Sequence, residues 1–199
     1  MKKIMVVLLI SGLFICSCNN NETQPKMNNV KVSKPIKYNE YIQDVFYGVP
    51  FGASKDEVIR GFKSNGLIVD LENSTDIFLS FCKRESMRFS FGGMDWDYVN
   101  VYLCNNRLYE IQFLKTFRTK ESALSYFNGV FSKVSQKYHI QESHISDKYT
   151  YKNYIGRTYY TSQWVSLSCS SYESFSHEQY VGVWLTYGND SYNKVSNEL

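Results

Sequence analysis

The chain reads as an α+β domain, an antiparallel sheet with two helices packed mainly on one face. Three observations carry that reading. Aromatic residues are abundant, with 17 Tyr, 13 Phe and 3 Trp against 3 Pro, which favours pleated strands and a packed core over disorder. Runs of alternating apolar and polar residues recur between turn signals. Two segments switch instead to helical spacing. In order these give a strand, a helix, several strands, a long helix and several more strands, a succession that hints at a tandem repeat of helix-then-meander units.

The first helix is announced by its cap. Residues 47–54 end a short strand, and Ser54 with Glu57 forms a capping box, in which side chain and backbone satisfy each other's free donors. Val58, Ile59 and Phe62 then give one apolar face, and Gly66 supplies the stop. Strands are expected at 77–82 and 87–91, separated by the charged Lys83, Arg84 and Glu85. Gly92-Gly93 turns the chain into a strand at 96–103, and Asn105-Asn106 turns it again into 107–114.

Patterning fixes an expected register for that last hairpin. Val99, Val101 and Leu103 line one face of the first strand, and Tyr109, Ile111 and Phe113 form the apolar face of the second. These sets meet if Leu103 pairs with Arg107, leaving a loop over 104–106 with Asn106 in the left-handed region. A two-residue loop slips the register by one and sets Val101 against Glu110.

Thr119 caps the second helix, along which Ala123, Phe127, Val130, Phe131, Val134 and Tyr138 recur at helical spacing. Strands are expected at 164–170 and 179–187, with a further one over 154–160. In these strands Val165, Leu167 and Cys169 oppose Trp164, while Val181, Val183 and Leu185 oppose Tyr180 and Trp184. The 96–103 strand repeats the arrangement, with its aliphatic residues opposing Trp96, Tyr98 and Tyr102. Trp96, Tyr98, Tyr102, Trp164, Tyr180 and Trp184 are therefore the candidate binding face, on the side of the sheet away from the helices. The alternative is that a second layer, such as 139–157, or a dimer mate covers these rings.

The N-terminus carries a different signal. Lys2 and Lys3 precede an apolar run over 4–15 broken only by Ser11 and Gly12. Such a run is too short to cross a bilayer, which needs roughly 20 residues, but suits a secretion signal. Ile15-Cys16-Ser17-Cys18 resembles the bacterial lipobox, with an aliphatic residue, a small residue at the cleavage position and then cysteine. That resemblance implies a removable signal at 1–17 and lipid attachment at Cys18. It further implies a membrane-tethered lipoprotein of the cell envelope, expected in the outer membrane and facing the periplasm. Residues 18–40, polar and Asn-rich, read as the lipidated tether, and 41–199 as a single domain. The element order resembles β-lactamase-inhibitor-protein-like folds, including small lipoproteins of outer-membrane assembly. The stretch from Gly48 to Glu57 resembles a theme in lipoproteins of Bacteroidetes-type bacteria.

Removal of 1–17 takes away Lys2 and Lys3 and leaves 20 basic against 19 acidic residues, a net charge of +1. No nucleic-acid partner is expected at that balance. Cys82, Cys104 and Cys169 permit one bridge with one leftover thiol, or three small buried hydrophobes; the second reading is preferred.

Chemistry-bearing motifs are sparse. His139, Glu142 and His144 cluster in sequence, but their spacing suits no usual zinc pattern, and a solvated loop explains them, as exposure explains His177. No metal, cofactor or catalytic set is assigned. The expected function is a non-enzymatic binding or assembly module, anchored through Cys18, with an envelope protein or glycan as partner. The alternative is an envelope hydrolase acting on peptidoglycan or glycan, using a cysteine with His139 or the carboxyl pair Asp95 and Asp97.

Overall fold

The computed structural model describes residues 37–83, 90–143, 149–173 and 178–193. The 1–17 signal, Cys18, most of the tether, His144 and His177 lie outside them. Strand accounts for about 50% and helix for about 22%, the balance that the aromatic content predicts. The fold is α+β.

A short hairpin, β1 (Val45–Phe46) and β2 (Val49–Pro50), leads into α1 (Lys55–Ser64). Then come β3 (Leu67–Asp70), β4 (Phe78–Lys83), the small hairpin β5 (Ser90–Phe91) and β6 (Met94–Asp95), β7 (Tyr98–Cys104) and β8 (Arg107–Phe117). The helix α2 (Lys120–Lys137) precedes β9 (Gln141–Glu142), β10 (Thr150–Arg157), β11 (Gln163–Glu173) and β12 (Gln179–Asn189), and a 3-10 turn follows over Asp190–Tyr192.

Eight strands form one sheet in the order β3-β4-β7-β8-β12-β11-β10-β9, every neighbouring pair antiparallel. Each half is a helix followed by a four-strand meander, and the last strands of the two meanders, β8 and β12, pair at the centre. The expected helix-then-meander repeat is present in the connectivity.

Both helices cover the same face. Ser54 and Glu57 close the capping box of α1, which buries Val58 and Phe62, and the Phe62 ring lies 4.7 Å from that of Phe81. Thr119 caps α2, which buries Ala123, Phe127, Val130 and Val134; Phe131 stands 4.7 Å from Tyr154. Phe81 and Tyr154 belong to a single register row, running through Val99, Phe113, Leu185 and Leu167. Side chains that share such a row point to the same side of the sheet.

The β7–β8 hairpin departs from expectation. Its loop is the two-residue turn Asn105-Asn106, both at positive φ (50° and 60°), with Cys104 paired to Arg107 and Leu103 to Leu108. Two left-handed residues match the twist of the flanking strands, as in a type I′ turn. The one-residue slip this turn imposes is absorbed by a bulge: Tyr109 is unpaired, Tyr102 meets Glu110, and Val101 meets Ile111. Leu108 therefore enters the core where Tyr109 was expected.

Other differences are at strand ends. Neither β3 nor β9 is expected from the sequence, since each is short and lies at a sheet edge. The segment expected as a strand at 154–160 begins earlier, at Thr150, and ends at Arg157. Within the 139–157 segment the described strands β9 and β10 extend the sheet sideways rather than covering its second face.

Candidate functional site: the open face of the sheet

Tyr98, Tyr102, Trp164, Tyr180 and Trp184 all lie on the face away from α1 and α2, as expected. Trp96 does not. It precedes β7, is fully buried, and packs 5.9 Å from Phe113 and 5.6 Å, edge to face, from Tyr126. Its indole N–H donates to the Phe91 carbonyl at 3.1 Å. The strand alternation that assigned Trp96 to the open face stops at Tyr98. Just before it, the Asp97 carboxylate accepts from Lys115 Nζ at 2.7 Å and from the backbone and hydroxyl of Thr116, each at 3.0 Å. Burial opposes the Asp97 charge, yet these partners outweigh it and hold the carboxyl below its ordinary range.

The open face is organised in register rows that cross the strands. The central row is polar: Ser80, Asn100, Gln112, Thr186 and Ser166. Ser80 donates to the Asn100 side-chain oxygen at 3.2 Å, and the Asn100 amide donates to Gln112 at 3.2 Å. On one side runs the row of Cys82, Tyr98, Leu114, Trp184 and Ser168. On the other run Phe78, Tyr102, Glu110, Gly188 and Trp164. Same-face rows are roughly 7 Å apart, because alternate residues on a strand share a face.

Two glycines let the tryptophans lie down. A Cβ on Gly182 would meet the Trp184 ring at 2.3 Å, and one on Gly188 would meet the Trp164 ring at 2.3 Å. Each indole is thus laid against bare backbone, flat on the sheet. Tyr172, outside the expected face because β11 was expected to end at Ser170, extends the Trp184 cluster: it stands 5.5 Å from Trp184 and stacks on Tyr180 at 5.9 Å. The Arg118 guanidinium caps Tyr180 at 4.2 Å. At the opposite row Phe78 lies 5.0 Å from Tyr102, and the bulge carries Tyr109 to within 6.5 Å of Tyr102. Among the described residues no helix crosses this face.

The sites proposed for hydrolysis are not brought together. His139 adjoins β9 at one sheet edge, whereas Cys82 lies on β4, next to the opposite edge, and Cys104 on the adjacent β7. Cys169 is buried on the helix side, where burial pushes its thiol up to about 11, far from thiolate formation near neutrality. All three thiols are free. Asp97 is tied to Lys115 and Thr116. Among the described residues no three His, Cys, Asp or Glu side chains converge on a metal position. None of the described helices is long and apolar enough to cross a membrane.

Two grooves flank α1. One, of about 630 Å³, runs between the β1–β2 turn and Tyr192, with Arg60 and Arg107 on its walls; the other, of about 690 Å³, lies between α1 and β3.

These features define a class of domain: one antiparallel sheet, helices on one side, and an aromatic face with a polar centre on the other. Comparison with protein-family models, curated proteins and solved structures finds no match to this chain.

Proposed function

We propose that this chain is a membrane-tethered lipoprotein of the cell envelope whose folded domain is a non-enzymatic binding module, working through the open sheet face. The observation that carries the reading is the composition of that face. Water-facing strand positions ordinarily hold Thr, Lys, Glu and Ser. Here Tyr98, Tyr102, Trp164, Tyr180 and Trp184 occupy them, half-buried or exposed, with no described helix above them. Flat aromatic rings offer large contact area at little entropic cost, and polar tips fix orientation. The placement in the envelope rests on the lipobox resemblance at Ile15-Cys16-Ser17-Cys18 and the apolar run before it.

The test is co-sedimentation of the full-length chain, in detergent, with isolated envelope material. Trp184→Ala and Tyr180→Ala are expected to weaken retention about tenfold or more while leaving a cooperative melt, since the lost contacts are made to a partner. Retention equal to wild type in both variants would remove the face from the reading.

A further inference from the structure

Three tyrosine rings gather where the described domain begins. Tyr38 stands edge to face with Tyr159 at 5.5 Å, and Tyr159 with Tyr160 at 4.8 Å. Tyr160 is 90% exposed, Tyr159 69% and Tyr38 43%. Yet the backbone that presents these rings is tied down. Between β10 and β11 the buried Thr158 donates its N–H to the Gln163 carbonyl at 3.1 Å and its hydroxyl to the Thr161 carbonyl at 2.7 Å. The Asp190 N–H donates to the Ser162 carbonyl at 3.0 Å, which fastens the loop to the end of β12. Tyr38 is held as closely, because the next residue, Asn39, bridges to Thr158 and donates its N–H to the Arg157 carbonyl at 2.7 Å. Charge does not explain the cluster: Lys37 and Glu40 flank Tyr38, and Arg157 pairs with Asp190 at 3.4 Å, so basic and acidic groups offset each other.

Where the chain enters the domain indicates what covers such a patch. The described domain begins at Lys37, and 18 residues separate Lys37 from Cys18. A coil of that length spans roughly 25 Å. With lipid on Cys18, Tyr38 therefore stays within reach of the bilayer. Tyrosine suits the membrane–water boundary, since its ring enters the headgroup layer while its hydroxyl stays wet. Three rings alone bind a bilayer weakly, but a tethered patch meets the surface at high effective concentration, so a weak attraction is enough to set orientation.

We propose that Tyr38, Tyr159 and Tyr160 form a membrane-interface contact that seats this end of the sheet on the bilayer holding the lipid anchor. The proposal rests on Cys18 being lipidated, and adds to that reading the way the domain stands on the membrane. Because the neighbouring charges offset each other, no anionic headgroup is selected and a zwitterionic bilayer is sufficient. The strands then rise away from the membrane: β12, with 11 residues, lifts Gln179 at its far end by up to roughly 35 Å. The open aromatic face stands beside the bilayer rather than against it, and remains available to its partner.

The experiment uses the chain produced in bacteria from its full sequence, reconstituted in phosphatidylcholine vesicles, with a photo-crosslinking phenylalanine derivative at Tyr160 or, separately, at Gln179. Flotation with the vesicles reports the anchor, and mass spectrometry after irradiation reports lipid adducts. The Tyr160 position is expected to give at least about five times the lipid adduct of the Gln179 position. With Tyr38→Ser and Tyr159→Ser added, the Tyr160 yield is expected to fall toward the Gln179 level while flotation and melting temperature hold. Equal yields from the two positions, or a Tyr160 yield that the two serine substitutions leave unchanged, overturn the contact while the anchor stands. A chain that does not float removes the anchor, and the proposal with it.

Discussion

Gly182 and Trp184 offer a test of how the open face is built. Both lie on β12 with their side-chain positions on the open face, and the Trp184 ring occupies the space where a Gly182 Cβ would stand, at 2.3 Å. Gly182→Ala therefore has two opposed effects. Removing glycine from a strand interior gains roughly 0.5–1 kcal/mol through the unfolded chain. Forcing the indole off the sheet costs roughly 1–3 kcal/mol, the usual range for overpacking. The net expectation is destabilisation of about 0.5–2 kcal/mol. In a Trp184→Ala background the clash is gone and only the first effect remains, so the same substitution should stabilise by about 0.5–1 kcal/mol. The double-mutant cycle, measured by urea denaturation, should thus show coupling of about 1–3 kcal/mol. If Gly182→Ala stabilises equally in both backgrounds, the indole does not lie on Gly182 and the flat arrangement is wrong.

Trp96→Ala removes a fully buried indole and leaves the Phe91 carbonyl without its donor; the expected loss is about 3–5 kcal/mol, or a fall in Tm of roughly 6–20 °C by thermal melt. Trp164→Ala, on the open face, should lose clearly less. Because burial raises the Glu110 carboxyl from 4.5 to about 7 in the folded chain, folding favours its protonated form. That contribution is complete below pH ~4.5 and lost as pH rises through ~7. Glu110→Gln should accordingly match wild type near pH 4.5 and exceed it by about 1–2 kcal/mol at pH 8, with the carboxyl's solvent-facing side reducing the full linkage value; denaturant melts at the two pH values check this. Cys18→Ser should abolish fatty-acid labelling and release the chain from membranes; a variant that stays membrane-bound would show that another element anchors it.

Much of this fold was legible because local signals agreed with one another. The Ser54–Glu57 box and Thr119 mark helix starts through hydrogen bonds made within one turn, so no tertiary information is needed to find them. Alternation in the strands placed Tyr98, Tyr102, Trp164, Tyr180 and Trp184 on one face, because the period of a strand is fixed by its pleat. What failed lay where a single residue breaks the period. The Asn105-Asn106 turn pointed to a tight hairpin, but the bulge at Tyr109 that reconciles this turn with the apolar pattern leaves no separate mark in the sequence. Trp96 was assigned by extending alternation past the true start of β7, across a bend where Lys115 and Thr116 of the neighbouring strand hold Asp97. Tyr172 was missed because the serines around it ended the expected strand too soon. The place of Gly188 under Trp164, and of Glu110 beside both, depends on which strands pair, and β8 meeting β12 is a contact between the two halves that neither half announces.

The open sheet face is the surface proposed to meet the partner. A photo-crosslinking residue at Ser168, in the Trp184 row, and another at the exposed Ser132 on α2 separate the two sides of the domain. Irradiated with isolated envelopes, the Ser168 position is predicted to give a discrete adduct, and the Ser132 position to give none. An adduct from Ser132 with none from Ser168 would place the partner on the helices and exclude the open face as the binding surface.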